Sequence, residues 1–152
     1  MIVLIQRVKS AKVSVDSREI NKIGKGVLVF VGIEKNDNDK ELEFISDKIL
    51  NLRIFPDSDN KMNLSIIDIR GEILSISQFT LTARIKNGRR PSFSNAMEPE
   101  KAKLLYNKLL KNLSKSGISV KDGVFGAMMK IELVNDGPVT FIIDSKIKNY
   151  KK

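Results

Sequence analysis

The sequence predicts an α/β fold, a mixed, largely antiparallel β-sheet covered by two helices. Three observations point there. Two segments carry an apolar stripe at helical spacing, one at Leu42, Ile45, Ile49 and Leu52, the other at Ala102, Leu105, Tyr106, Leu109 and Leu113. Runs rich in β-branched residues lie before, between and after those stripes. No repeat, linker or shift in composition divides the 152 residues, so one domain over 1–145 with a Lys-rich tail over 146–152 is expected. A chain of this size buries roughly 68–70% of the surface its unfolded form exposes. With 41% apolar residues it can fill a core.

Residues 2–8 read as a strand, followed by Val13 and Val15 alternating with polar residues. Residues 19–23 form a short edge strand. After Gly24-Lys25-Gly26, the nearly continuous apolar run 27–33 fits a strand buried on both faces. Asn38 with Glu41 three residues later is a capping-box variant that opens the first helix. That helix ends near Arg53, because Pro56 forbids its continuation. Residues 57–61 are a polar loop and 73–81 a further strand. Residues 84–90 hold four basic residues in seven and form a loop ahead of Pro91. Pro99 suits the first turn of the second helix and Gly117 stops it. Residues 120–125, 127–134 and 139–143 are three closing strands, and the tail, with four Lys in seven residues, is expected to fray.

Composition removes several chemistries. There is no Cys, hence no disulfide framework and no thiolate metal site. There is no His, which removes the commonest general base, the Ser-His nucleophile pair and the commonest metal ligand together. Asp37, Asp39, Glu41 and Glu43 belong to a helix cap and a solvated face, and Asp57 and Asp59 to a polar loop. Neither group has a metal-ligand spacing, so no metal or cofactor is expected. The net charge of +9 favours a polyanionic partner, although it also serves solubility. Residues 1–8 lack the pattern of a signal peptide, and the apolar run 27–33 is far too short to span a membrane. A soluble cytoplasmic protein with no membrane partner is the default.

Two stretches could carry chemistry. In Asn135-Asp136-Gly137-Pro138-Val139-Thr140, turn-forming residues separate two apolar runs, which reads plainly as two strands joined by a turn. An ordinary tight hairpin needs positive φ at its centre, however, and Pro138 cannot supply it. Gly137 lets another backbone or a ligand come close, so a rigid turn that points main-chain carbonyls at something is the functional alternative. In Ser77-Gln78-Phe79-Thr80-Leu81, strand alternation puts Ser77, Phe79 and Leu81 on one face and Gln78 and Thr80 on the other. Hydroxyls and an amide gathered at a strand end either meet solvent or partner a ligand.

Together these two stretches resemble the signature motifs of the D-aminoacyl-tRNA deacylase family. Gln6-Arg7-Val8, Leu52-Arg53-Ile54-Phe55, Lys61-Met62-Asn63-Leu64, Arg90-Pro91-Ser92-Phe93 and Phe125-Gly126-Ala127 are similar to the family's usual text, in its usual order. The resemblance runs from Met1 to about Ser145. It implies a homodimer whose β-barrel-like core is completed across the subunits, and hydrolysis of the ester between a D-amino acid, or glycine, and the terminal ribose of tRNA. Gly137-Pro138 would match a Gly-cisPro pair inserted into the partner's pocket. There its carbonyls would engage the substrate α-amino group and leave no room for an L side chain. Asn135, Val139 and Thr140 flank that pair in the motif. Arg7 would hold the loop and Met129 would line the pocket.

The ribose 2′-hydroxyl would assist attack by water, leaving the protein to orient the ester and to supply oxyanion donors. Main-chain N–H groups near Phe79 and Thr80 are the candidates, within a catalytic stretch of Ser77, Gln78, Phe79 and Thr80. Thr80 is the alternative nucleophile by residue type, but nothing in the composition would activate it. Arg84, Lys86, Arg89 and Arg90, with lysines of the second helix, are candidates to guide the tRNA acceptor end. A solvated basic loop is the simpler alternative. Two rival functions remain, a non-catalytic tRNA-binding domain and a relative that clears L-alanine from tRNA with its Gly-Pro in trans. A serine hydrolase lacks both the G-x-S-x-G elbow and the His.

Overall fold

The computed structural model describes residues 1–85 and 88–147. Its sheet is organised around β1 (Ile2–Val15), a strand long enough to be shared. Along one edge runs β8 (Lys130–Asp144), antiparallel to it. The other edge pairs first with β3 (Gly26–Gly32) and then with β2 (Arg18–Ile23), both antiparallel. β6 (Glu72–Ser77) adds parallel to β3, and β7 (Val120–Asp122) parallel to β6.

The sheet then curls until its ends meet. Asn21 Nδ2 donates to Asp122 O at 2.7 Å, and Lys121 Nζ donates to Lys22 O at 2.8 Å, tying β2 to β7. The result is a nearly closed barrel, mixed and mostly antiparallel as expected. A small hairpin, β4 (Phe55–Pro56) with β5 (Met62–Leu64), stands apart from it.

Both helices form where their stripes predict. Helix α1 (Asp39–Asn51) opens on a complete capping box, with Asn38 Oδ1 accepting from Lys40 N and Glu41 Oε2 accepting from Asn38 N. Helix α2 (Pro99–Ser114) has Pro99 at its start. Their apolar faces pack with Val27, Val29 and Val31 of β3 and with Val3 and Ile5 of β1 in the larger core. The alternate residues Leu28, Leu74, Ile76, Val8 and Val13 face into the barrel, with Phe30, Met129, Ile131 and Leu133 half-buried against them. Burial on both faces explains the unbroken apolar run of β3. The Tyr106 hydroxyl crosses from α2 to the buried Ser75 hydroxyl, donating at 3.0 Å. Burial raises its pKa well above the usual tyrosine range, partly offset by that bond.

Four expectations fail. The strand expected over 73–81 stops at Ser77, because its parallel partner β3 stops at Gly32. The chain turns instead into a 3₁₀ turn, Phe79–Thr82, laid over that glycine; a Cβ there would come within 2.8 Å of Leu81 Cβ. The strand expected over 120–125 shrinks to three residues. The expected pair 127–134 and 139–143 is one strand interrupted by a bulge rather than a hairpin, because β1 continues alongside and pairs with both halves.

The fourth concerns two charged groups read as loose. Asp37 is not solvated but 7% exposed, accepting from Glu34 N at 2.7 Å and from the Met1 ammonium at 2.7 Å. Lys146, the first residue of the expected frayed tail, sets its ammonium 2.8 Å from Glu34 Oε2. Partial burial lowers the Lys146 pKa, but its bond to Glu34 and the Asp37 and Glu34 charges outweigh that and leave it raised. Residues 148–152 of the tail lie outside the described residues. Among the described residues no helix is long and apolar enough to cross a membrane, and no acidic cluster has the arrangement of a metal site.

Candidate active site

Where β6 runs out of partners, Gln78 N still donates to Val31 O at 2.7 Å, and then the ladder ends. The 3₁₀ turn that follows is held by Thr82, whose buried hydroxyl donates to Phe79 O at 2.8 Å. Gln78 Nε2 donates to Thr80 Oγ1 at 2.5 Å, which fixes the Thr80 side chain and leaves its own proton free to donate. Among the described residues no acceptor meets the main-chain N–H of Phe79 or of Thr80. The alternation expected for these residues therefore gives way to a turn that presents two free donors.

Both residues line a cavity of about 720 Å³. Ser77, Gln78, Phe79 and Thr80 all line it, and so does Met129. Much of its remaining wall comes from two segments that sequence reasoning did not assign to a site, noting only Phe93 and Phe125-Gly126-Ala127 in them as landmarks. One is the loop ahead of α2, with Phe93, Ala96 and Met97. The other is the stretch after β7, with Phe125, Gly126 and Met128. The signal was present in their apolar and aromatic residues within loop text. The rings of Phe79 and Phe93 meet edge to face, 4.9 Å between centroids, at the mouth. Among the described residues Glu98 is the single charged one of the lining, which is otherwise mostly apolar.

The second stretch is a bulge inside β8. Gln6 pairs with Thr140 and Val8 with Asn135, so Arg7 alone stands opposite Asp136, Gly137, Pro138 and Val139. The Gly137–Pro138 peptide bond is cis. Arg7, with its side chain 12% exposed, anchors the loop. Its Nε donates to Asp136 O at 3.0 Å and lies 3.1 Å from Asp136 Oδ2, while Nη1 donates to Ile54 O at 2.6 Å. From the other side Asn135 Nδ2 donates to Arg7 O at 2.9 Å and to Val139 O at 3.3 Å. Gln6 Nε2 reaches Thr140 Oγ1 at 3.3 Å, and Val139 is buried. A Cβ at position 137 would fall 2.6 Å from Asn135 Oδ1, so a side chain there would push the Asn135 amide off its place.

The structure thus brings Arg7, Asn135, Gly137, Pro138, Val139 and Thr140 together at one place, and Ser77 to Thr80 with Met129 at another. None of residues 135–140 lines the cavity of the same chain. Arg84 pairs through its main chain with Ser92, at 2.9 and 3.0 Å, next to Phe93 at the cavity rim. Arg89 and Arg90 are exposed on the loop so closed, and Lys86 lies outside the described residues.

Sequence comparison places this geometry among known proteins. The family model described as D-Tyr-tRNA(Tyr) deacylase matches residues 4–144. A D-aminoacyl-tRNA deacylase of Persephonella marina is 54% identical over 96% of this chain and 99% of its own. One of Thermodesulfovibrio yellowstonii is 51% identical over 96% of this chain and 100% of its own. Among solved structures, a c-Myc DNA unwinding element binding protein superposes with a TM-score of 0.90 at 42% identity, covering 95% of this chain and 98% of its own. A protein described as a probable eukaryotic D-amino acid tRNA deacylase shares the fold, with a TM-score of 0.83 at 17% identity over 93% and 97%. On the match across almost its full length, the chain belongs to the D-Tyr-tRNA(Tyr) deacylase family.

Proposed function

We propose that this chain hydrolyses the ester of D-aminoacyl-tRNA in the cytoplasm, releasing the free D-amino acid and tRNA. Water attacks the ester carbonyl carbon, the bond from that carbon to the ribose oxygen breaks, and the ribose oxygen leaves as a hydroxyl. An aminoacyl ester is already activated and carries a neighbouring 2′-hydroxyl, so the substrate itself assists the water. The protein's share is orientation and charge stabilisation. The N–H groups of Phe79 and Thr80 receive the developing oxyanion, and the Thr80 hydroxyl donates beside them. The observation that carries this reading is the pair of unpartnered N–H donors on two residues that line the cavity.

Chirality is read by main chain. In a homodimer the bulge of one subunit enters the cavity of the other, where the carbonyls of Gly137 and Pro138 take the substrate ammonium and exclude an L side chain. The rest of the D side chain is read loosely, so glycine mischarged on tRNA(Ala) is also cleared. Support comes from the bulge's double anchoring by Arg7 and Asn135, and from a cavity that its own chain leaves without these carbonyls. The basic loop carrying Arg84, Lys86, Arg89 and Arg90 guides the acceptor end by phosphate contact.

The test is turnover of D-Tyr-tRNA beside L-Tyr-tRNA. Multiple turnovers on the D form and little loss of the L form are expected. Binding without ester loss would favour a non-catalytic tRNA-binding domain, and preference for an L ester would favour the alanine-clearing relatives. Neutralising Arg89 and Arg90 should lower kcat/KM and flatten its dependence on salt. An unchanged salt slope removes the loop from the tRNA path.

A further inference from the structure

The outer wall of the cavity is a loop, and a loop needs something to hold it. Between Ser92 and Pro99 the chain carries Phe93, Ala96, Met97 and Glu98 to the lining. Its main chain touches the barrel at the end of β3, where Lys35 N donates to Asn95 O and Met97 N donates to Ile33 O, each at 3.0 Å. Besides the Phe93 ring on Phe79, the loop is tied by the Asn95 side chain, whose Nδ2 donates to Glu34 Oε1.

Glu34 is an unusual acceptor to find there, because it is 6% exposed. A buried carboxylate is costly unless paired. Its other oxygen lies 2.8 Å from Lys146 Nζ and 3.6 Å from the Met1 ammonium, and its own N–H is taken by Asp37 Oδ2 at 2.7 Å. Neutral acceptors could have tied the loop without burying charge. A carboxylate that is ion-paired through its other oxygen offers an amide a charge-assisted bond, stronger than a carbonyl does.

We propose that Asn95 is a positioning residue, clasped by Glu34 so that Phe93 and Met97 stand where the substrate's aminoacyl end is received. It touches no reacting atom and works through the wall it holds. The inference rests on the proposed deacylation, and it assigns to the Glu34–Asn95 pair the setting of substrate affinity. The chemical step belongs to the turn at Phe79 and Thr80.

Kinetics on D-Tyr-tRNA, thermal melting and amide exchange over 93–97 test it in the full chain. Asn95→Ala should raise KM about tenfold while kcat stays within about twofold, the pattern of lost binding that is uniform across the reaction. Amide exchange at Met97 should quicken alongside. Asn95→Asp sets a second carboxylate against Glu34 and should raise KM further. Adding Glu34→Gln to Asn95→Asp restores a donor–acceptor pair with the roles exchanged, and should bring KM back to within about threefold of the parent. A merely structural clip predicts something else, kcat falling with the folded fraction at constant KM and no recovery in the double variant. Either result overturns the proposal, as does an unchanged KM in Asn95→Ala. If the parent itself does not deacylate, the proposed function fails. Amide exchange over 93–97 then decides the clip alone, and unaltered protection in Asn95→Asp overturns it.

Discussion

Thr80 accepts a hydrogen bond from the Gln78 amide, so its hydroxyl proton is available to donate and its lone pairs are partly engaged. With no His or Cys anywhere in the chain, nothing stands ready to take that proton away. The geometry therefore suits a donor and not a nucleophile. Thr80→Val should lower kcat about 10²-fold, the cost of one oxyanion donor, while Thr80→Ser keeps most of the rate. Mass spectrometry of enzyme quenched during turnover should find no aminoacyl adduct, and an adduct on residue 80 would refute the assignment. Arg7 acts at a distance of the same kind. With its contacts to Asp136 and Ile54 removed, the bulge loses its main anchor. Arg7→Ala should cost about 10²-fold in kcat/KM, since misplacement by about 1 Å is worth that much. Arg7→Lys should recover little, because one ammonium cannot replace a planar fork with two acceptors. No local pattern reveals this pairing, as Arg7 and Asp136 are 129 residues apart. In the sequence it was legible only through family resemblance, whereas the absence of His and Cys could be read from composition alone.

At the scale of elements, what was legible depended on whether an element is specified by its own residues. The two helices and β3 declare themselves through apolar periodicity, a capping box and a doubly buried run. The end of β6 and the continuity of β8 do not, because each is decided by a partner strand. β3 stops and β6 must turn; β1 continues and β8 passes straight through a Gly-Pro that reads as a turn. Charged groups along the barrel's seam give this scale its prediction. The Gly24 N–H, donating at 2.6 Å, holds the Glu72 carboxyl below its ordinary pKa, with Lys121 and Ser119 adding to the effect against some burial. A lowered pKa contributes stability that is present above the unfolded value and lost as pH falls through the folded one. Asp122 is the opposite case. Burial raises its pKa, so stability is lost as pH climbs from the unfolded value through the folded one. Urea midpoints taken at about pH 3 and pH 7 should separate them. Glu72→Gln should destabilise at neutral pH and close the gap at acid pH. Asp122→Asn should stabilise at neutral pH and change little at acid pH. Equal effects of either substitution at both pH values would contradict the assignment.

The 3₁₀ turn with its cavity and the Gly-Pro bulge do not meet within one chain. The turn and the cavity lie at the end of β6, while the anchored bulge stands on β8, a long strand that among the described residues pairs with β1 alone. Phe141, Ile142 and Val134 of that strand are exposed, a state an edge strand sustains poorly in isolation. If each subunit lends its bulge to the other's cavity, two damaged chains can repair one another. A chain with Thr80→Val has a failed cavity and a sound bulge; a chain with Arg7→Ala has the reverse. Mixed in equal amounts after unfolding and refolding together, half of the dimers contain one of each. In such a dimer one site unites both defects and the other unites both intact parts, so about a quarter of the parent's sites return. Deacylation of D-Tyr-tRNA by the mixture should rise toward that fraction, well above either variant alone, and should fall on dilution as subunits part. If the site were assembled within a single chain, each protomer would keep its own defect and mixing would add nothing. Activity equal to the mean of the two separate variants would therefore rule out a shared site, whatever the oligomeric state in solution.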